Sequence, residues 1–501
     1  MCVISNYKPI LGNKYSVTDL LTNILMIGRK KEVERIQRLL HSDRSEFLAV
    51  TGRRRVGKTF LIDTLLTEHY CFSITGIQNG NLNAQLVNFA VKLSEYNGTL
   101  VPQIPKNWQM AFLQLKHWLM TLDKNQKHVI FIDELPWIDT PKSGFVQMLA
   151  HFWNDYLSKE RHFLLVICGS ATSWIVKKVV NDPGGLHNRI TENIHLRPFN
   201  IVETKSFLRE RGLLYSAQDL VRLYMTFGGI PFYLDHLRQG ESYAIAVERM
   251  CFAPSGILNN EYHNLFQALF NNSTVHQGIV AVLARHRYGL SHAEIVKELG
   301  LSQPTGSYQR AMEELLISDF IVETTPVGRQ KRGSVFRLMD EFCNFYHYFI
   351  QPSKKYSPGL WQQLSESQSF KTWSGYAFET FCYRHLDLIK QALGISAVYT
   401  EVSSLRIPAD DATLGVQLDM VITRKDNVVN LCEIKFHHAP YAITKADYDH
   451  LVSLKQQFIR FTGTKSQVFI TVITNLGLQP NAWSRDIVDA EVHFEQLLGE
   501  E

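Results

Sequence analysis

From Ile27 to about Phe199, short apolar runs alternate with longer amphipathic stretches. The runs Phe47–Thr51, His128–Asp133 and Phe163–Gly169 are apolar at nearly every position. Such runs predict strands buried on both faces, and their alternation with helical patterns predicts a parallel sheet. From Ile201 to Cys251 the pattern is helical and breaks at Gly228-Gly229-Ile230-Pro231. Between Thr274 and Ile350 apolar positions recur at helical spacing, starting with Ile279, Val280, Val282 and Leu283. Ser291 and Glu294 form a capping box that opens a second helix, and a third is expected from Pro304 to Ser318. Two strand-like runs follow, Phe320–Thr324 and Ser334–Leu338. Three helices and a hairpin is the winged-helix order. Residues 351–368 are rich in Ser, Gln and Pro and read as a linker. From Phe370 a helix precedes strands near Val398–Val402, Gly415–Arg424 and Val428–Phe436. A helix over Thr444–Thr462 and a strand at Gln467–Thr474 complete the pattern.

The expected class is therefore multidomain α/β. The layout is an N-terminal arm (1–26), a P-loop domain (27–200), a helical lid and connector (201–273), a winged helix (274–350), a linker (351–369) and a C-terminal α/β domain (370–501). A chain of 501 residues holds about three domains of ordinary size. Net charge is +4, too mild to imply a nucleic-acid partner by itself. The seven cysteines are dispersed, with no CxxC pair, which argues against a disulfide framework or a zinc site. No signal-peptide layout opens the chain, and no apolar run approaches the roughly 18 residues that span a bilayer. A cytoplasmic protein without membrane contact is expected.

Gly52-Arg53-Arg54-Arg55-Val56-Gly57-Lys58-Thr59 fits the pattern GxxxxGK[ST]. Its glycines let backbone N–H groups curl around phosphate oxygens, Lys58 brings charge to the β and γ phosphates, and Thr59 offers a hydroxyl to Mg²⁺. The following helix points its positive end at the anion. These residues predict ATP with magnesium. Asp133, ending the second apolar run, would hold the magnesium shell, and Glu134 would orient and deprotonate the attacking water. Ser170, ending the third run, is placed to sense the γ-phosphate or the water, or is a plain strand-end serine. Arg189 reads either as an arginine finger or as a surface arginine. Arg53, Arg54 and Arg55 line the loop or are simply solvated.

The chain resembles the archaeal-type AAA ATPases of the STAND-related class. The likeness rests on Ile27-Gly28-Arg29-Lys30-Lys31-Glu32, the loop Gly52–Thr59, Ile132-Asp133-Glu134, Gly169-Ser170, Leu196-Arg197-Pro198-Phe199 and Gly229-Ile230-Pro231. It implies that Arg29 and Pro231 lie near the adenine, with Pro231 in the lid. It continues through Phe336–Phe342 to the C-terminus, where members commonly end in a domain similar to the PD-(D/E)xK nucleases, a restriction-endonuclease-like fold.

That likeness meets chemistry in the residues. Glu433 and Lys435 are two apart on a strand and project together. With Asp419 from an adjacent strand, two carboxylates could share Mg²⁺ while Lys435 orients water at a scissile phosphate. Glu379 matches the family's helical glutamate, a metal or structural anchor. Gln417 departs from the charged residue often found there. The alternative is an inter-strand salt bridge in a fold that has lost its chemistry. On the winged helix, Gln303, Ser307, Gln309 and Arg310 would face DNA, with Arg329, Lys331 and Arg332 on phosphates. A module that only packs between domains is the other reading. His437 and His438 are adjacent, face opposite sides and form no metal pair, so they read as surface or DNA-facing.

The resulting expectation is an ATPase whose nucleotide state controls a magnesium-dependent DNA nuclease. The alternative is a nucleotide-controlled DNA-binding or scaffold protein with an inactive nuclease fold. DNA is the expected partner. A homo-oligomer and an activating protein or nucleic-acid ligand are further expectations, since a finger such as Arg189 acting in trans needs a neighbouring subunit.

Overall fold

The computed structural model describes residues 26–170, 172–180, 186, 188–270, 272–327, 333–353, 356–407 and 416–499. The side chains of Thr172, Val180, Arg406, Ile407, Val416 and Asp419 are not among those described. The expected arm up to residue 25 and the wing residues Arg329, Lys331 and Arg332 lie outside the described residues. The chain divides into two compact units, one ending at Arg197 and the other starting at Pro198.

The first unit is built on five strands: β1 (Glu46–Thr51), β2 (Tyr70–Thr75), β3 (His128–Asp133), β4 (Phe163–Cys168) and β5 (Glu192–His195). Their order is β2-β3-β4-β1-β5 and every neighbouring pair is parallel. Every residue of the central strands β1 and β4 is buried, which is why they read as unbroken apolar runs. Helices Leu82–Asn97 and Trp108–Leu119 start at Asn81 and Asn107, whose side chains accept from the N–H groups of Ala84 and Met110. Between these helices and Phe145–Asp155 lies an aromatic core that includes Phe89, Trp108, Phe112 and Phe145. The Trp108 and Phe145 rings meet edge to face at 4.7 Å.

The second unit opens with helices Ile201–Glu210 and Ala217–Phe227. Helices Thr274–Ala284, His292–Glu298 and Gly306–Ile317 precede an antiparallel hairpin of β6 (Ile321–Thr324) and β7 (Val335–Leu338). Ser291 and Glu294 form the expected capping box. The segment 351–369 departs from the linker expected there. It contains helix Leu360–Ser365, and Trp361 is fully buried against the rings of Phe252, Phe345, Phe349 and Phe370. Ser, Gln and Pro set the linker reading, but one tryptophan anchors the segment.

A mixed sheet closes the chain: β8 (Thr400–Ile407), β9 (Val416–Arg424), β10 (Val428–Lys435), β11 (Gln467–Thr474) and β12 (Ala490–His493), in the order β12-β11-β10-β9-β8. Strands β8, β9 and β10 are antiparallel, whereas β10, β11 and β12 run parallel. Helix Lys445–Thr462 is the crossover between β10 and β11 and packs Leu451, Leu454 and Phe458 against Leu431 and Ile470. Helix Gln368–Arg384 also packs on β10, with the rings of Phe378 and Phe436 at 5.4 Å.

Candidate functional site

In the first sheet, β4 lies between β1 and β3. All three run parallel, so their carboxyl ends deliver Gly52–Thr59, Asp133-Glu134 and Gly169-Ser170 to one edge, where ligands of parallel sheets bind. The loop leaves β1 through Gly52, at φ +137°, and Arg55 and Gly57 adopt left-handed conformations at φ 73° and 90°. Alternation of left- and right-handed residues turns successive N–H groups into a concavity suited to an anion. Helix Lys58–Leu66 follows directly and adds its positive end.

Lys58 is buried, and its Nζ donates to the carbonyls of Gly52 (2.8 Å) and Arg53 (3.0 Å). Burial pushes its pKa down, opposed by Cys168 and by the carboxylates of Glu134 and Asp133. Burial likewise holds the Cys168 thiol well above the ordinary thiol range. Thr59 donates its hydroxyl to Asp133 Oδ2 at 2.9 Å. The loop, the buried ammonium and the Thr59–Asp133 pair fit a nucleoside triphosphate with a divalent cation. Arg53 is buried, whereas Arg54 and Arg55 are half-buried.

Adjacent residues on a strand face opposite ways, yet both carboxylates are used at this edge. The backbone resolves the conflict at Glu134, which turns left-handed at φ 46°, ψ 46°. A non-glycine residue there costs on the order of 1 kcal/mol. The conformation is held by the Glu134 N–H donating to Asp133 Oδ1 at 2.8 Å. It is also held by the Glu134 carboxylate, which accepts from the Ser170 N–H at 3.1 Å and from the Ser170 hydroxyl. Asp133 thus serves Thr59 on one side while Glu134 is aimed at β4. The strand order and this Glu134–Ser170 clamp were not legible in the sequence.

Arg29 is buried, and its guanidinium donates to the carbonyls of Val56 (3.3 Å) and Arg197 (2.8 Å), bracing the phosphate loop from behind. Arg189 is exposed, with its N–H on the Leu186 carbonyl at 3.0 Å. Pro231 belongs to the second unit, where it opens the short helix Pro231–Leu234.

Residues 26–237 match the model of an ATPase domain found predominantly in Archaea. The chain is 23% identical over 359 residues to an uncharacterized protein of Methanocaldococcus jannaschii, covering 71% of this chain and 76% of that protein. An uncharacterized ATP-binding protein of the same organism is 23% identical over 295 residues, covering 50% of this chain and 80% of that one. Among solved structures, the Walker-type ATPase PABY2304 of Pyrococcus abyssi aligns with a TM-score of 0.49 at 17% identity, over 64% of this chain and 96% of its own. The Aeropyrum pernix ORC2 protein in ADPNP–ADP complexes aligns with a TM-score of 0.40 at 12% identity, over 68% and 95%.

Two motifs of the ATPase domain meet inside the second unit. The Phe199 N–H donates to the Gly229 carbonyl at 2.7 Å, and a Cβ on Gly229 would stand 1.8 Å from the Phe199 carbonyl oxygen. Only glycine permits that approach.

A second candidate cluster lies on β10. Lys435 Nζ pairs with Glu433 Oε1 at 2.8 Å; burial pushes its pKa down, but the carboxylates of Glu433, Asp447 and Glu379 outweigh it and leave the pKa raised. The β9–β10 register runs from Val429 opposite Thr423 to Cys432 opposite Met420. Glu379 is half-buried and lines a small cavity with Arg287, Arg337, Asn344, Tyr376 and Tyr383. Among the described residues no group of three or more His, Cys, Asp or Glu is arranged to hold a metal ion. Gln303, Ser307, Gln309 and Arg310 are exposed on or beside helix Gly306–Ile317. Among the described residues no helix is long and apolar enough to cross a membrane.

Proposed function

We propose that the loop Gly52–Thr59 binds ATP with magnesium, that Glu134 is the base for its hydrolysis, and that nucleotide state governs the second unit. The observation that carries this reading is the division of labour between two adjacent carboxylates, Asp133 on Thr59 and Glu134 on Ser170. The match to an archaeal ATPase domain and the ATP-binding relative support it. Lys58 would exchange the Gly52 and Arg53 carbonyls for phosphate oxygens, at little desolvation cost because it is already buried. Thr59 and Asp133 would hold magnesium, which would supply positive charge against the negative charge that develops on the phosphates. Glu134, fixed by Ser170, would take a proton from the attacking water. Arg29 near the adenine, and Arg189 as a finger from a neighbouring copy, belong to this proposal. Phosphate release and fluorescent-ATP binding test it in wild type, Lys58→Ala and Glu134→Gln. Lys58→Ala should bind weakly, and Glu134→Gln should bind but not turn over. Turnover surviving in Glu134→Gln would remove Glu134 from the role.

For the output of the switch we propose magnesium-dependent cleavage of DNA by the C-terminal sheet, with Asp419 and Glu433 holding the metal and Lys435 orienting water. Glu379 would then anchor the site from its helix. The pairing of Glu433 with Lys435, on a strand whose antiparallel neighbour is β9 (Val416–Arg424), favours this reading. Plasmid cleavage by wild type but not by Asp419→Ala would support it. A salt-dependent gel shift without cleavage would favour the alternative, a nucleotide-controlled DNA-binding or scaffold protein.

A further inference from the structure

Two residues beyond the carboxyl end of β10 stands His437. The strand's own ladder with β11 ends at Lys435 opposite Thr474. A side chain continues it: the His437 N–H donates to Asn475 Oδ1 at 2.8 Å, and Asn475 Nδ2 donates to the His437 carbonyl at 2.7 Å. Asn475 is itself buried, so the pin is rigid. The imidazole is fixed as well, lying parallel to the Tyr441 ring with centroids 4.7 Å apart and planes within 7°. His437 therefore has backbone and ring both immobilised, although it stays partly exposed. It stands in an open groove lined by Lys435, His438, Tyr441, Thr444 and Asp447.

A rigid, flat, half-exposed ring costs little entropy to stack upon, and every nucleobase offers a π-face. Around it one lysine, Lys435, faces two carboxylates, Glu433 and Asp447. Lys435 is paired with Glu433, and Asp447 is engaged by the cap of Thr444 at 2.6 Å. Binding in this groove thus depends on stacking more than on neutralising phosphates.

We propose that His437, pinned by Asn475 and backed by Tyr441, is a stacking platform for an unpaired base of a nucleic-acid strand whose backbone passes Lys435. This deepens the nuclease reading and rests on it for the identity of the ligand. A base inside a duplex cannot reach such a platform, so single strands are preferred over duplex.

The test is fluorescence anisotropy with a labelled oligothymidine of about six nucleotides, a length within the usual range for one such site, in EDTA so that nothing is cleaved. The full chain is compared with His437→Ala, His437→Phe and Asn475→Ala, with circular dichroism and ATP turnover as controls of folding. His437→Ala should weaken binding roughly 10-fold or more, and His437→Phe should keep it. Asn475→Ala should fall between the two. Equal binding by His437→Ala and wild type, no binding by wild type, or preference for duplex would each overturn the platform. Cleavage is scored separately with magnesium. Binding that depends on His437 without any cleavage keeps the platform and removes the nuclease. Cleavage by wild type with binding indifferent to His437 keeps the nuclease and removes the platform.

Discussion

Gly52 and Gly57 both belong to the phosphate loop and both have positive φ, yet they should respond differently to alanine. At Gly57, φ is 90° and a Cβ meets nothing within 4 Å. Only conformational strain opposes alanine, about 1–2 kcal/mol, offset in part by lost freedom in the unfolded chain, which leaves roughly 1 kcal/mol. At Gly52, φ is 137° and a Cβ would sit 2.3 Å from the Leu196 carbonyl oxygen and 3.1 Å from its carbon. Both atoms are backbone, and Leu196 is tied to β1 by its N–H on the Thr51 carbonyl at 2.8 Å. Relief requires moving the edge of the sheet, so strain and overpacking together cost about 3 kcal/mol or more. For a unit of this size about 1 kcal/mol shifts Tm by roughly 2–4 °C. Gly57→Ala should thus melt about 2–4 °C below wild type and Gly52→Ala about 6–12 °C or more. Scanning calorimetry of the full chain, following the transition that ATP shifts upward, reads both. Equal shifts for the two variants would refute the argument that backbone approach, rather than φ alone, makes Gly52 obligatory.

Glu134→Gln should lower ATP turnover about 10²-fold or more while fluorescent-ATP binding stays within a few-fold of wild type, because a general base contributes roughly that factor and little ground-state binding. Trp361→Ala should destabilise the second unit by about 3–5 kcal/mol, as for any fully buried aromatic; a melting curve unchanged by it would restore the linker reading of that segment. His385 is buried, accepts from the Ile201 N–H at Nε2 and donates from Nδ1 to the Phe381 carbonyl, and burial lowers its pKa to about 3. The folded state therefore binds fewer protons than the unfolded one, and the group's penalty grows as pH falls below about 6.5. It reaches about 2 kcal/mol at pH 5. Urea unfolding between pH 7 and pH 5 should lose that much in wild type and distinctly less in His385→Gln.

What the sequence disclosed depended on how completely each element is buried. Strands β1, β3 and β4 lie in the sheet interior and read as apolar runs, His128–Asp133 to the residue. Edge strands β2 and β5 carry half-exposed polar positions in Tyr-Cys-Phe-Ser-Ile-Thr and Glu-Asn-Ile-His, and no periodicity betrays them. The phosphate loop and both carboxylates were legible because phosphate chemistry fixes their type and spacing. The pairing of Glu134 with Ser170 was not, because it depends on β4 inserting between β1 and β3 and on one left-handed residue. A motif shows which residues are present, whereas strand order decides which of them meet. His437 shows the same limit. Its neighbour His438 invited a reading of two residues facing apart, but the pinning by Asn475, 38 positions away, is a tertiary fact.

The helices after Arg197 were expected to form a lid separate from the C-terminal domain, but their contacts tie them to it. The Phe199 carbonyl accepts from the buried Tyr224 hydroxyl at 2.8 Å, and two residues later the Ile201 N–H reaches His385 at the end of helix Gln368–Arg384. The Tyr224 ring stands edge-on to both Phe381 and His385. Arg384 donates to Glu341 and to the Met339 carbonyl, and a Cβ on Gly228 would meet the Glu341 carboxylate at 2.8 Å. Breaking a buried pair such as Arg384–Glu341 costs about 3–5 kcal/mol. Separating helix Gln368–Arg384 from helix Glu341–Phe345 would therefore be expensive. Helix Gln368–Arg384 also packs on β10, so Phe199–Ile201 and the strand that carries Glu433 and Lys435 belong to one body. If nucleotide governs the second unit as proposed, no separate relay from the lid helices to the sheet is needed, because Tyr224, His385 and β10 are parts of one packed core.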